Sequence, residues 1–331
     1  MIISAFITIL TSTIIFLTPF PIWSNVLILI KYVLNDRNIS FSLKLYLLFY
    51  VLKSLLSLLL KSLFWQLDRL ILRKIVIRDP VIIVGNPRSG TTFLHRILAQ
   101  HEQFHTLTYF QMRFPSVILW KCIDFIGLSN IIKRINYWPN SDAGRIASKL
   151  HKHTYGDKEE IGMFLEEVMM SHFFLYRRFP LPNVALNIAD LNKLNQKSWN
   201  KVLNGIQGLF TRSLFYHHAQ EKIVLIKENE SAIFLRKLLD IYPNAKFIFI
   251  YRPVEEVSAS YQTLSIVSTQ AKTGIDPRSI SNWQDINDNF RLREMRDTLK
   301  LFTDLPNEQK LLVGYERFTK NVCDEIKRIL N

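Results

Sequence analysis

Gly85 and Gly90 flank the residues Asn86-Pro87-Arg88-Ser89, with Thr91, Thr92 and Phe93 behind them and the apolar run Val81-Ile82-Ile83 in front. Glycines so placed after a strand permit a tight turn, and free amides at the start of the next helix then converge on an anion. In the loop that binds nucleoside triphosphates, a lysine follows the second glycine to reach the terminal phosphates, and the next hydroxyl binds magnesium. Here Thr91 holds the lysine position and Arg88 supplies the positive charge three residues earlier. The loop reads as a phosphate cradle without the triphosphate lysine. A turn that merely joins strand to helix would explain the glycines, but neither the arginine nor the paired hydroxyls.

Two further strand ends carry cations. Lys246-Phe247-Ile248-Phe249-Ile250-Tyr251 is a β-rich apolar run suited to a buried parallel strand, and it ends in Arg252-Pro253. Pro253 suits the first turn of a helix, where its missing N–H is harmless, and Ser260 follows two helical turns on. Ile223-Val224-Leu225-Ile226-Lys227 is a third such run. Doubly wound sheets bind ligands at the carboxyl ends of their strands. A magnesium-dependent NTPase commonly ends one of these strands in a metal-holding aspartate; here the strand ends in a cation.

These residues resemble the sulfotransferases that use 3′-phosphoadenosine 5′-phosphosulfate (PAPS). The family's 5′-phosphosulfate loop is similar to Pro87-Arg88-Ser89-Gly90-Thr91-Thr92, and its 3′-phosphate site to an arginine followed eight residues later by serine, matched by Arg252 and Ser260. The flanking text, PVIIVGNPRSGTTFLHRIL and YPNAKFIFIYRPVEEVSASYQTL, most resembles the broad, largely microbial branch, and the likeness runs from about residue 80 to 330. It implies PAPS as co-substrate, with Arg88, Ser89, Gly90, Thr91 and Thr92 on the 5′-phosphosulfate and Arg252 and Ser260 on the 3′-phosphate. A sulfuryl group carries about one negative charge where a terminal phosphoryl carries nearly two, so transfer needs less neutralisation and can proceed without a metal. An arginine and a hydroxyl-rich cradle then suffice to position the donor for in-line transfer.

The acceptor side is less fully specified. An acceptor hydroxyl needs a base within hydrogen-bond reach. The resemblance implies that Lys227 assists transfer, but Asn229 stands where the cytosolic branch carries its histidine base. Some tyrosine- and glycan-modifying relatives use a glutamate soon after the loop; the nearest equivalent here is Gln111, which takes no proton at neutral pH. The segment 151–164 resembles an acidic stretch near the acceptor site of the microbial branch, and it nominates Glu160, then Glu159, with His95 as an outsider. The catalytic set is thus Arg88, Lys227 and Glu160. A competing reading makes 157–160 an acidic cap on a helix over 161–171. No metal site is expected, because His217 and His218 point apart on a helix and His151 and His153 lack a partner at ligand spacing.

The elements that must position these groups form an α/β domain. Strands at 81–85, 223–227, 246–251 and 309–315 alternate with helices, which implies a P-loop-type parallel sheet flanked by helices. Residues 76–331 make this domain, and a mainly helical insertion at 101–220 shapes the acceptor pocket. Relatives continue past the last helix with basic residues that close over the donor, whereas this sequence stops at Asn331; Lys272, Arg278 or Arg291 are the candidates to replace them. Cys122 and Cys323 read as buried thiols in a reducing compartment.

The chain has 42 basic against 28 acidic residues, a net charge of +14. That excess fits nucleic acid, anionic lipid or an anionic small ligand. Its distribution argues against nucleic acid: residues 1–80 carry nine Lys or Arg and three Asp or Glu among very apolar stretches, and residues 1–30 carry no charged side chain. Residues 1–75 read as a hydrophobic, helical membrane-associating region, with Pro19 and Pro21 ending a first helix near residue 18. Residues 41–72, broken by lysines, form a basic interfacial helix or a second partial insertion. Lys31, Arg37 and Lys44 follow the first apolar segment, which places the catalytic domain in the cytoplasm. The expected function is sulfuryl transfer from PAPS to a hydroxyl of a lipid, glycan or other small acceptor. The alternatives are a P-loop kinase or NTPase and a non-catalytic nucleotide- or lipid-binding protein.

Overall fold

A computed structural model describes residues 23–35, 39–171, 173, 177–181, 187–188, 190–229 and 231–330. The bilayer crossing expected before residue 18 lies outside the described residues. Strands β1 Val81–Gly85, β2 Phe104–His105, β3 Ile223–Lys227, β4 Lys246–Tyr251 and β5 Lys310–Gly314 form one sheet in the order β2-β3-β1-β4-β5. All of its pairings are parallel. Four strands fall where apolar runs place them. The fifth, β2, pairs Phe104 with Ile223 and His105 with Val224 and is too short to show any periodicity.

The helices are α1 Trp23–Asn35, α2 Phe41–Leu67, α3 Thr91–Leu98, α4 Tyr109–Arg113, α5 Val117–Phe125, α6 Ser129–Lys133, α7 Asp142–Leu150, α8 Gly162–Glu167, α9 Gln196–Tyr216, α10 Ala232–Leu239, α11 Val254–Thr273, α12 Trp283–Asp304, α13 Tyr315–Lys320 and α14 Val322–Leu330. The unbroken apolar strands follow from burial on both faces. Ile82, Val84, Ile226, Phe247 and Phe249 pack into one core with α2, α9, α10 and α12. Ile83, Leu225, Ile248, Ile250 and Val313 pack into the other with α3, α13 and α14. Each such side chain taken out of water contributes about 1.5–3 kcal/mol.

The helix expected over 161–171 is shorter: α8 ends at Glu167, and Met169 follows at a φ of 59°. Ile161, not an acidic residue, occupies its N-cap position without a side-chain cap bond. The thiols also depart from expectation, since Cys122 and Cys323 are both exposed. Each sits on the solvent side of a surface helix: on α5 Val117 and Trp120 are the buried residues, and on α14 Glu325 is buried with Val322 and Ile326 packed partly against the core.

The N-terminal helices are joined to the α/β domain by buried charge. Asp68, just past α2 and fully buried, pairs with Arg212 of α9 at 2.7 Å and accepts from Ser116 Oγ and from the amides of Val117 and Ile118. It therefore also meets the positive end of α5. Arg212 donates to the Trp65 carbonyl at 2.7 Å and stacks 3.5 Å from that ring's centre. Breaking a buried pair leaves an uncompensated charge, so Asp68→Ala is expected to lose about 3–5 kcal/mol of stability, read as a lower urea midpoint at unchanged slope. A loss below about 1 kcal/mol would demote the pair to the value of a surface contact.

Candidate active site

The loop after β1 takes its shape from two glycines. A Cβ on Gly85 would lie 2.6 Å from the Ile250 carbonyl of neighbouring β4, so only glycine lets the strands approach there. Gly90 sits at a φ of 95°, and a Cβ on it would meet the Tyr315 ring at 2.8 Å. Its position caps α3, whose first amides have no acceptor within the helix and face the loop's concavity. Arg88 is itself left-handed at a φ of 72°, a conformation its surroundings must hold. Its Nε donates to Ser260 Oγ at 3.1 Å and its Nη1 to the Leu150 carbonyl at 3.2 Å, while its own carbonyl accepts from Arg252 Nη1 at 3.3 Å.

Two motifs 164 residues apart therefore meet at Arg88. Arg252 lies over the Tyr315 ring at 4.4 Å and donates to Glu256, one turn along α11, at 2.8 Å. Burial, with Arg252 close by, pulls the Arg88 guanidinium below its ordinary value. Two cations so close raise each other's energy, which an anion between them would relieve.

The third strand end supplies the centre. Lys227, 1% exposed, donates from Nζ to Thr92 Oγ1 at 2.9 Å and lies 3.5 Å from Glu159 and 3.7 Å from Glu160. Burial works against its charge, but Glu160 and Glu159 outweigh it and raise the ammonium above its ordinary value. Glu159 is also buried. Desolvation would lift its carboxyl, yet Lys227, His153 and His151 together hold it well below the usual carboxylate range. Its other oxygen faces Arg96 at 3.5 Å and His151 at 3.6 Å. Glu160 instead accepts from Asn229 Nδ2 at 2.7 Å, so the position that lacks a histidine base is bonded to a carboxylate.

These groups open into a cavity of about 400 Å³. Arg88, Arg96, Lys227 and Arg252 line it, and among the described residues Glu160 is the one carboxylate that does. The profile of the sulfotransferase family matches residues 80–119 and 153–331, which include the loop, Lys227 and Arg252. The chain belongs to the sulfotransferase family. Its fold is similar to that of the sulfotransferase STF1 from Mycobacterium tuberculosis H37Rv, with a TM-score of 0.64 at 17% identity over 91% of this chain and 80% of that one. STF9 from Mycobacterium avium gives 0.61 at 12% identity over 90% and 74% of the respective chains. No curated protein matches in sequence.

Within this sulfotransferase the expected residues fall into several groups. Arg88, Gly90, Thr91, Thr92, Arg252, Lys227 and Glu160 line the cavity. Ser260 stands behind Arg88, and the Ser89 hydroxyl is turned inward, fully buried and close to Gly85. His95 is wholly buried against Thr106 at 2.9 Å, and burial above all, with Lys227 near, pushes its imidazole down to about 3. It does not reach the cavity. Gln111 is buried on α4, bonded to Ser213 at 2.8 Å.

None of the three cations proposed to close over the donor lines the cavity; Arg291 stacks 3.8 Å from the ring of Tyr261, which does. Lys272 is half-buried against Tyr137, and Arg278 is paired with Asp276 on the surface. The reading that His151 and His153 lack a partner is corrected: Glu159 brings three possible ligand atoms within 4.8 Å of one another. Those carboxylate oxygens already face Lys227 and Arg96, so the chain's own cations neutralise the cluster.

Sequence reasoning missed Arg96, His151 and Tyr315. Arg96 was legible in principle, since it lies one helical turn after Thr92 on the same face of α3. His151 and Tyr315 reach the cavity only through the packing of α7 and α13.

Proposed function

We propose that the chain moves a sulfuryl group from PAPS to a hydroxyl of a lipid, glycan or other small acceptor. One observation supports this above the others: the Lys227 ammonium stands between Thr92 of the loop, at 2.9 Å, and Glu160, at 3.7 Å, joining the donor cradle to a carboxylate. Arg88, Thr91, Thr92 and the first amides of α3 would hold the 5′-phosphosulfate, and Arg252 with Ser260 the 3′-phosphate. The cationic lining fits so anionic a donor. Glu160 takes the proton as the acceptor oxygen bonds to sulfur, while the bond from sulfur to the donor's phosphate oxygen breaks. Lys227 and Arg88 meet the charge left on that oxygen. Phe173, Tyr261 and Leu264 line the cavity as well and suit the carbon frame of the acceptor.

The enzyme is placed at a membrane, its catalytic domain on the cytoplasmic side. Support comes from the 27-residue apolar helix α2, the thirty uncharged residues that open the chain and the basic residues that follow them.

Saturable binding of adenosine 3′,5′-bisphosphate in a chelator tests the donor assignment; binding of ATP only with magnesium would overturn it in favour of a kinase. For the base, Glu160→Gln is expected to cut turnover by about 100-fold to 10,000-fold with bisphosphate binding unchanged. Full turnover in that variant would remove Glu160 from the chemistry.

A further inference from the structure

α2 is amphipathic in an inverted sense. Its inward face, through Leu47, Val51, Leu58 and Trp65, is buried in the domain core. The opposite face should then be polar, as on a surface helix of a soluble protein. Instead Leu45, Phe49, Leu52, Leu56, Leu60 and Leu63 recur at helical spacing and are each 46–65% exposed. No charged or amide side chain interrupts that stripe.

The helix is long and apolar enough to cross a bilayer, and its attachments argue against crossing. Tyr46 bonds to the Lys272 carbonyl at 3.1 Å, Tyr50 packs edge-on against Phe179, and Lys61 pairs with Glu167 at 2.9 Å. Trp65 and Asp68 are tied to Arg212. The domain thus follows α2 along most of its length. Inserting the helix across the bilayer would drag Lys61, Glu167 and Arg113 into hydrocarbon, where charged side chains are costly.

We infer that α2 lies in the plane of the membrane interface, its leucine stripe in the lipid and its opposite face carrying the catalytic domain. The inference rests on the membrane-associated reading above and fixes its geometry. The occupant of the stripe is an anionic bilayer surface. Lys53 flanks the stripe, and Arg69, Arg73 and Lys74 follow directly, all exposed, with no exposed acidic residue between positions 41 and 78. A second copy of the chain fits less well. A stripe about 27 Å long and about 10 Å wide offers roughly 270 Å² per copy, a third of the about 800 Å² that a standard interface buries on each side. Contiguous apolar patches of a few hundred Å² mark contact sites, and a flat one bordered by cations suits lipid.

Nitroxide labels placed singly at Leu45, Leu56 and Leu67 of the full chain, in vesicles of phosphatidylcholine and phosphatidylglycerol, report depth through oxygen and nickel relaxation. All three are expected at one shared depth, about 5–10 Å into the headgroup boundary. Leu45 and Leu67 are about 33 Å apart along the helix, close to the thickness of the hydrocarbon core, so a spanning α2 puts them at opposite surfaces with Leu56 at the centre. That result overturns the inference and leaves membrane association standing. Aqueous labels on vesicle-bound protein overturn it in favour of attachment elsewhere in the chain, and aqueous labels on unbound protein sink both readings. Dipolar broadening between copies would mark the stripe as a dimer interface instead. The triple variant Leu52→Glu, Leu56→Glu, Leu60→Glu is expected to weaken vesicle binding about tenfold or more while bisphosphate binding holds; unchanged vesicle affinity counts against the stripe.

Discussion

Lys227→Met is expected to lower turnover by about 100-fold to 1,000-fold, the range for removing one donor aimed at developing charge. Two effects add. The ammonium that reaches Thr92 at 2.9 Å no longer meets charge on the leaving oxygen. Glu159 and Glu160 also lose their common partner, at 3.5 and 3.7 Å. Without it the Glu159 carboxyl loses the strongest of the influences that hold it low, and its proton affinity rises. A pH profile separates these contributions. If the pairing matters, the variant's rate should need a higher pH than the wild type to reach its plateau, because Glu159 at the centre of the cluster ionises later. If Lys227 acts only on the leaving oxygen, the plateau falls with no shift in pH. Circular dichroism must confirm that the variant is folded, since losing one partner of a buried pair can cost about 3–5 kcal/mol. Lys227→Arg keeps the charge and tests its placement. Activity within a few-fold of wild type in a folded Lys227→Met protein would take this residue out of the reacting centre.

What could be read in the sequence follows from how locally each feature is specified. β1, β3 and β4 are runs of apolar residues buried on both faces, and the loop after β1, Lys227 at the end of β3 and Arg252 just past β4 mark the sheet's binding edge; β5, at the edge of the sheet with Leu312 exposed, shows only as an apolar run. The loop needs Gly85 and Gly90 for close approach and positive φ, requirements that show in the residue types themselves. Ion-pair geometry is another matter. Glu159 and Glu160 look alike in the sequence, yet one is a buried hub for Lys227, Arg96 and His151 while the other faces the cavity beside Asn229. Three elements distant in the chain decide between them: the turn before α8, the end of β3 and α3. The cysteines fail as predictions for the opposite reason, because a thiol is small enough to sit on a surface helix without penalty. Of α2, the sequence shows the apolarity but not which side faces the domain; Asp68 and Arg212, 144 residues apart, settle that.

Arg252→Ala is expected to erase preference for a 3′-phosphate rather than activity as such. Arg252 lies over Tyr315, donates to Glu256 and reaches the carbonyl of Arg88, so its guanidinium is already oriented at the mouth of the cradle. Each charge-assisted bond from such a group is worth about 1.5–3 kcal/mol. A two-pronged contact to a phosphate then corresponds to a loss of roughly 100-fold or more in affinity for PAPS. Adenosine 5′-phosphosulfate has no 3′-phosphate to lose, so its use should hardly change. The ratio of kcat/KM for the two donors is therefore expected to collapse in Arg252→Ala, and mainly through KM, because the contact is far from the sulfur and is made equally in ground and transition states. Ser260→Ala should move the ratio the same way by less, since it removes one neutral hydroxyl that also steadies Arg88 at 3.1 Å. A fall in kcat with both donors alike would instead mean that Arg252 works through Arg88, holding the loop in its left-handed turn. The two outcomes divide donor recognition from loop positioning, because only the first depends on which donor is offered.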